Sequence, residues 1–122
     1  MVESVVIIAD RSPTGKNSAA EAIRIGSGFV ALGESINCQI VLTGDAVYLL
    51  NKHATPTIVG MDPVDEFFEI ADLSDLELYV LDKSLKDAGL TFEDLIEYEN
   101  LKIISINELI DLIEQADTCF RF

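Results

Sequence analysis

Two thiols, one imidazole, a row of carboxylates and a glycine–lysine turn are the groups in this chain that could do chemistry. Cys38 and Cys119 are its two cysteines among 122 residues. They belong to no CxxC pair and no Cys/His cluster, so neither a zinc nor an iron–sulfur site is suggested. Cys38 falls in an apolar run expected to be a buried strand, where a thiol is inert. Cys119 sits beside Phe120 near the last residue, in or beside an expected edge strand. Its nearest cation in sequence is Arg121, which lowers the thiol pKa only if it folds back towards the sulfur. Cys119 is therefore a weak nucleophile candidate, with an incidental thiol as the alternative. His53 is the sole histidine, and no Ser or Cys near it in sequence completes a nucleophile–base pair.

Asp10, Asp45 and Asp82 each follow an expected strand, so they could gather at one rim of a sheet. Metal binding by that rim is conceivable, but capping and turn roles account for all three. The loop Asp10-Arg11-Ser12-Pro13-Thr14-Gly15-Lys16 faintly suggests a phosphate cradle. It does not satisfy GxxxxGK[ST], because Asp10 stands where the first Gly belongs and Asn17 where Ser/Thr belongs. No GxGxxG follows either of the first two strands. Free amides at the helix start leave Ser12, Gly15, Lys16 and Asn17 as candidate anion-binding residues, against the plainer reading of a solvated turn. No metal and no cofactor is called for.

The elements that must position these groups follow from hydrophobic patterning. Ser4–Ala9, Asn37–Thr43, Leu76–Leu81 and Leu101–Ile104 are short apolar runs of the kind buried on both faces of a parallel sheet. Thr118–Phe122 alternates enough to be a short last strand at a sheet edge. A helix is expected from Ser18, where Ser18-x-x-Glu21 forms a capping box, to about Leu32 before Gly33. Ala19, Ala22, Ile23, Gly26 and Val30 form one stripe of it, and Ile25, Phe29 and Leu32 widen that stripe. Small Gly26 and Gly28 would permit a second packed surface; one wide core face is the alternative.

Further helices are expected from Ala46 to about Lys52 and from Asp62-Pro63 through Phe67, Phe68, Ile70 and Ala71. Others are expected around Ser84–Ala88 ending on Gly89, at Thr91–Glu97, and after the capping box Ser105-x-x-Glu108. His53 to Asp62 reads as an irregular loop. Strands alternating with helices give a mainly parallel five-stranded sheet covered on both faces, a three-layer α/β/α fold.

With 49% hydrophobic residues and a mean hydropathy of +0.31, the chain suits one compact domain over residues 1–122. No apolar run approaches the roughly 20 residues that span a bilayer, and no signal-peptide pattern opens the chain. A cytoplasmic protein is expected, in which a disulfide is the less expected state of the cysteines. Acidic residues number 22 against 8 basic, a net charge of −14. Such a surface repels phosphate backbones, which argues against direct nucleic-acid binding. Solubility explains the acidity, and a basic partner is the other reading.

Several segments in order resemble the DsrE/DsrF-like sulfur-relay family, nearest the TusC/DsrF type. They are the Pro13-x-Gly15 loop leading to the helix with Glu21, Gly44-Asp45-Ala46-Val47-Tyr48-Leu49-Leu50, and Ser84-Leu85-Lys86-Asp87-Ala88-Gly89-Leu90. Asp117 with Phe120-Arg121-Phe122 is similar to the family's terminal Asp-x-x-x-Arg-Phe pattern. The resemblance implies a DsrE-like fold, and assembly as a homo-oligomer or as a heteromer with cysteine-bearing DsrE-like paralogues. In the family, thiol-bearing subunits pass persulfide sulfur towards tRNA thiolation or in sulfur oxidation. A cysteine often stands where the third strand meets its helix; here that position is Leu81. The resemblance therefore implies a non-catalytic, oligomeric subunit. A sulfurtransferase using Cys119 and a small-ligand or nucleotide-binding module are the alternatives.

Overall fold

The computed structural model describes residues 4–10, 18–31, 37–51, 65–73 and 75–121. Ser12, Gly15, Lys16, Asn17 and His53 lie outside the described residues, as does the expected helix start at Asp62-Pro63.

Five strands form one parallel sheet: β1 (Ser4–Ala9), β2 (Asn37–Leu42), β3 (Glu77–Leu81), β4 (Leu101–Ile104) and β5 (Thr118–Arg121). Their order across the sheet is β4-β3-β2-β1-β5. The helices are α1 (Ser18–Ala31), α2 (Asp65–Leu73), α3 (Asp82–Ala88) and α4 (Ile106–Gln115). The three-layer α/β/α architecture expected from the alternation is the one observed, with β5 at an edge.

The two faces are built unequally. Alternate residues of the strands (Val5, Ile7, Ala9, Ile40, Leu42, Leu78, Val80) join Ala22 and Ile23 of α1, Phe68 and Ala71 of α2, and Leu85 of α3 in the main core. The other set, Val6, Val41, Leu81 and Ile104, packs against Leu109 of α4, with Ile8, Tyr79, Leu112 and Ala116 half-buried around them. Period-two alternation assigns the two sets to opposite faces. Among the described residues, α4 is the one helix over the second face.

Gly26 explains how closely α1 lies on the sheet. A Cβ there would stand 2.6 Å from Cδ1 of Ile40 on β2. Gly28, by contrast, faces open space. The close approach expected at the two glycines is thus made at Gly26, within the chain's own core.

Two expected helices are shorter or tighter than their sequences suggest. Gly44–Leu50 is a 3-10 helix. Its buried residues Ala46, Val47, Leu49 and Leu50 recur at i, i+3, the spacing that eclipses on three residues per turn. The helix expected at Thr91–Glu97 is a single 3-10 turn, Phe92–Asp94, held by a Thr91–Asp94 capping box. It stops because Leu95 turns into the core, bridging Asn51, while the Ile96 amide donates to the Leu50 carbonyl at 2.8 Å. The Ser105–Glu108 capping box forms as expected. So does the glycine stop of α3, where Gly89 has φ +72° and the Leu90 amide reaches back to the Leu85 carbonyl at 3.0 Å.

Candidate functional site

The carboxyl ends of the strands form the rim at which open α/β sheets place ligands. Registers put Asp10, Thr43 and Leu81 side by side there, because Ala9 pairs with Leu42 and Leu42 with Val80. Leu81 ends β3, and Asp82 opens α3 with no intervening loop. The Leu81 side chain is buried against Val6, Val41, Ile104 and Leu109. A packed leucine occupies the strand–helix junction, and it carries no group able to attack, accept or donate.

Beside it the backbone is drawn in tightly. The Thr43 amide donates to the Ala9 carbonyl at 2.9 Å, and the Gly44 amide donates to Oγ of Ser84 at 2.9 Å. Gly44 has φ +53°, and a Cβ there would lie 3.2 Å from the Asp10 carbonyl oxygen. Ser84 is buried, so its hydroxyl acts as a fixed acceptor tying the first turn of α3 to the loop after β2. A small pocket of about 170 Å³ opens over this contact, lined by Gly44, Asp45, Tyr48, Ser84, Asp87 and Ala88. The described lining holds two carboxylates, Asp45 and Asp87, which suit a cation or a hydrogen-bond donor.

The three strand-end aspartates take separate roles. Asp10 accepts from Nε and Nη2 of Arg121 on Oδ2, both at 2.6 Å. Its Oδ1 is buried and has no hydrogen-bond partner among the described residues. Asp82 accepts from the Lys83 amide at 2.6 Å, and Asp45 lines the pocket. No cluster able to hold a metal ion is found among the described residues.

Cys119 lies away from this rim. It is level with Val6, Val6 with Gln39, and Gln39 with Glu77. Three strand spacings and four residues of rise separate it from Leu81, about 14 Å across and about 13 Å along. The sulfur thus stands roughly 20 Å from the strand–helix junction and cannot replace a thiol there. Cys119 is exposed, yet partial desolvation against the sheet raises its pKa. Arg121, committed to Asp10, does not serve as its activating cation. Cys38 is buried and its thiol is pushed up to about 11 by desolvation, matching the inert packing role expected of it.

The second face holds a polar group that patterning alone did not single out. The Tyr79 hydroxyl donates to Oε2 of Glu77 at 2.5 Å, and Nε2 of Gln39 donates to the same oxygen at 3.2 Å. Burial first, and then the neighbouring Glu77 carboxylate, push the Tyr79 hydroxyl up to about 12. It stays protonated at neutral pH and is not a nucleophile. Cross-strand pairing of Gln39 with Glu77 brings these residues together, and that register is invisible until the strands are aligned. The same holds for Ser84, whose partner is 40 positions away.

The sheet order and the packed strand–helix junction can now be set beside known proteins. A family model described as the DsrE/DsrF-like family matches residues 3–122. The chain is similar in structure to the ychN protein from E. coli, with a TM-score of 0.81 and 19% identity, covering 98% of this chain and 99% of that one. It is also similar to MTH1491 from Methanobacterium thermoautotrophicum, a protein of unknown function, with a TM-score of 0.70 and 13% identity over the whole of both chains. No curated protein sequence matches the chain. At those identities the two structures establish the fold, and the family match spans nearly every residue. The chain belongs to the DsrE/DsrF-like family.

Proposed function

We propose that this chain is a non-catalytic, assembling subunit of an intracellular sulfur-relay complex, in which thiol-bearing DsrE-like subunits carry the persulfide. One observation carries the reading: Leu81 fills the strand–helix junction with a buried aliphatic side chain. A persulfide carrier needs a sulfur anion that attacks a donor sulfur, so it needs an accessible thiol with substantial thiolate character. Leu81 supplies no sulfur. Cys38 is buried and Cys119 has a raised pKa far from the junction. Among the described residues no helix is long and apolar enough to cross a membrane.

Stoichiometric co-purification from the native host, read by mass spectrometry, tests the assignment. The expected companion is a DsrE-like subunit with a cysteine at its own strand–helix junction. Sulfur transfer by the reconstituted complex should be unchanged when Cys38→Ala and Cys119→Ser are combined in this chain. A persulfide on Cys119 during turnover, together with loss of transfer in the Cys119→Ser variant, would replace the reading with that of a sulfurtransferase.

A further inference from the structure

The second face of the sheet carries an apolar surface that the described residues leave exposed. Along α4, Leu109, Leu112 and Ala116 turn towards the strands. Ile106, Ile110 and Ile113 do not: they remain 52%, 46% and 38% exposed. At 3.6 residues per turn these three fall within about 60° of one another, forming a stripe beside the sheet-facing one. Three β-branched side chains in register on a ten-residue helix exceed the scattered surface hydrophobics that need no explanation.

The direction of the stripe follows from its neighbours. Glu108, Asp111 and Gln115, on the opposite flank of α4, line a groove of about 330 Å³ with Tyr79 of β3 and Lys102 of β4. The isoleucine flank therefore overlooks the other half of the sheet, β1 and β5. Among the described residues, β5 is the last strand in the order and pairs with β1 alone. The stripe thus lies on the side of the sheet that ends in this edge, whose outer backbone groups pair with no other described strand and can serve another chain.

Charge decides what fits. α4 carries Glu108, Asp111 and Glu114 and no Lys or Arg, within a chain of net charge −14. A second copy docked by two-fold symmetry would set these acidic residues against their own equivalents, an arrangement that costs association. We infer that Ile106, Ile110 and Ile113, with the β5 edge, bind a different protein subunit whose contact face is apolar and rimmed by Lys or Arg. The inference rests on the reading of the chain as an assembling subunit, and it names the surface and the chemistry of its partner.

Two synthetic 18-residue amphipathic peptides test it, one with a leucine face flanked by lysines and one with the same face flanked by glutamates. Each is titrated into the ¹⁵N-labelled full chain. The lysine-flanked peptide should shift amides of α4 and β5, and bind at least tenfold tighter than its acidic counterpart. Ile110→Ser with Ile113→Ser should weaken that binding at least tenfold. Should that pair fail to fold, Asp111→Lys with Glu114→Lys should reverse the peptide preference. Absence of binding by either peptide, shifts centred elsewhere, or retained binding in the serine pair each overturn the proposal. So does a self-dimer of the chain, seen by sedimentation, that the serine pair dissolves. Survival of the thiol-bearing companion through the serine substitutions would refute this surface alone. Peptide binding as expected, with no such companion in the host, would refute the sulfur-relay reading alone.

Discussion

Arg121 and Asp10 stand 111 positions apart, and two nitrogens of the arginine meet one carboxylate oxygen of the aspartate. At the other end of the same pair of strands, Oδ2 of Asp117 accepts from the Ser4 amide at 3.0 Å, while the Asp117 amide donates to the Ser4 carbonyl. The terminal Asp-x-x-x-Arg spacing therefore works as two pins, one at each end of β5, that lock it to β1. The arginine is well exposed, so its ion pair contributes little, about 0–1 kcal/mol. Arg121→Ala should lower unfolding stability by about that amount in urea titrations at low salt. The difference from the parent should shrink in 1 M salt. An effect that is large and insensitive to salt would mean that Arg121 does something other than pair with Asp10.

The two glycines of α1 should respond in opposite directions. Gly28→Ala places a methyl in open space and removes a flexible residue from a helix interior, so a gain of about 0.5–1 kcal/mol is expected. Gly26→Ala drives a methyl to 2.6 Å from a fully buried isoleucine. Overpacking of this kind costs about 1–3 kcal/mol, which outweighs the helix-propensity gain. Thermal unfolding of the two variants side by side is the measurement; equal shifts would contradict the packing of α1 against Ile40.

Ser84→Ala leaves the Gly44 amide without its acceptor. Gly44 is exposed, so water can take the freed donor, and the loss is that of one ordinary hydrogen bond, about 0.5–1.5 kcal/mol. Hydrogen exchange at Gly44 should accelerate well before exchange in the strands does. Unchanged protection of that amide would show that Ser84 does not hold the loop.

The two cysteines should separate cleanly under a thiol reagent. Native protein should expose one reactive thiol, Cys119, with Cys38 reacting only on unfolding. Cys119 should also react more slowly at neutral pH than an unhindered thiol, because its raised pKa reduces the thiolate fraction. Cys38 further gives the protein an alkaline weakness. Its folded pKa of about 11 exceeds its ordinary value of 9.0, so the unfolded chain releases this proton first. Stability should be untouched by this group below pH 9 and fall between about pH 9 and 11, by on the order of 2 kcal/mol. Cys38→Ala should flatten the pH 9–11 slope in chemical denaturation; an unaltered slope would assign the loss to another group with a raised pKa, such as the Tyr79 hydroxyl.

Local order was legible in this sequence, and long-range order was not. Ser4–Ala9 and Leu101–Ile104 are strands from end to end because a short apolar run has few other ways to bury itself. Ser105 and Glu108 announce α4 because a capping box is complete within four residues. Gly44–Leu50 and Thr91–Glu97 misled because their backbone is set from elsewhere, by Ser84 and by the bridge from Leu95 to Asn51. At the candidate site, Leu81 could be located from the chain alone, since strand, junction and glycine stop are consecutive. Partners such as Asp10 with Arg121 and Gln39 with Glu77 required the strand order. The isoleucine stripe was hidden differently: in sequence, Leu109 and Ile110 are equivalent hydrophobics, and only packing separates them.

The position of β5 has a kinetic consequence. Its pairing with β1 joins residues more than a hundred positions apart, and such a contact must await synthesis of everything between them. Until then β1 presents a bare flank rich in valine and isoleucine, well suited to misjoining with other nascent chains. β5 emerges from the ribosome after the other four strands of the sheet and closes that flank, which favours slow, late-committing folding. Chains cut short before residue 117 should accumulate as aggregates rather than as a slightly smaller version of the same fold.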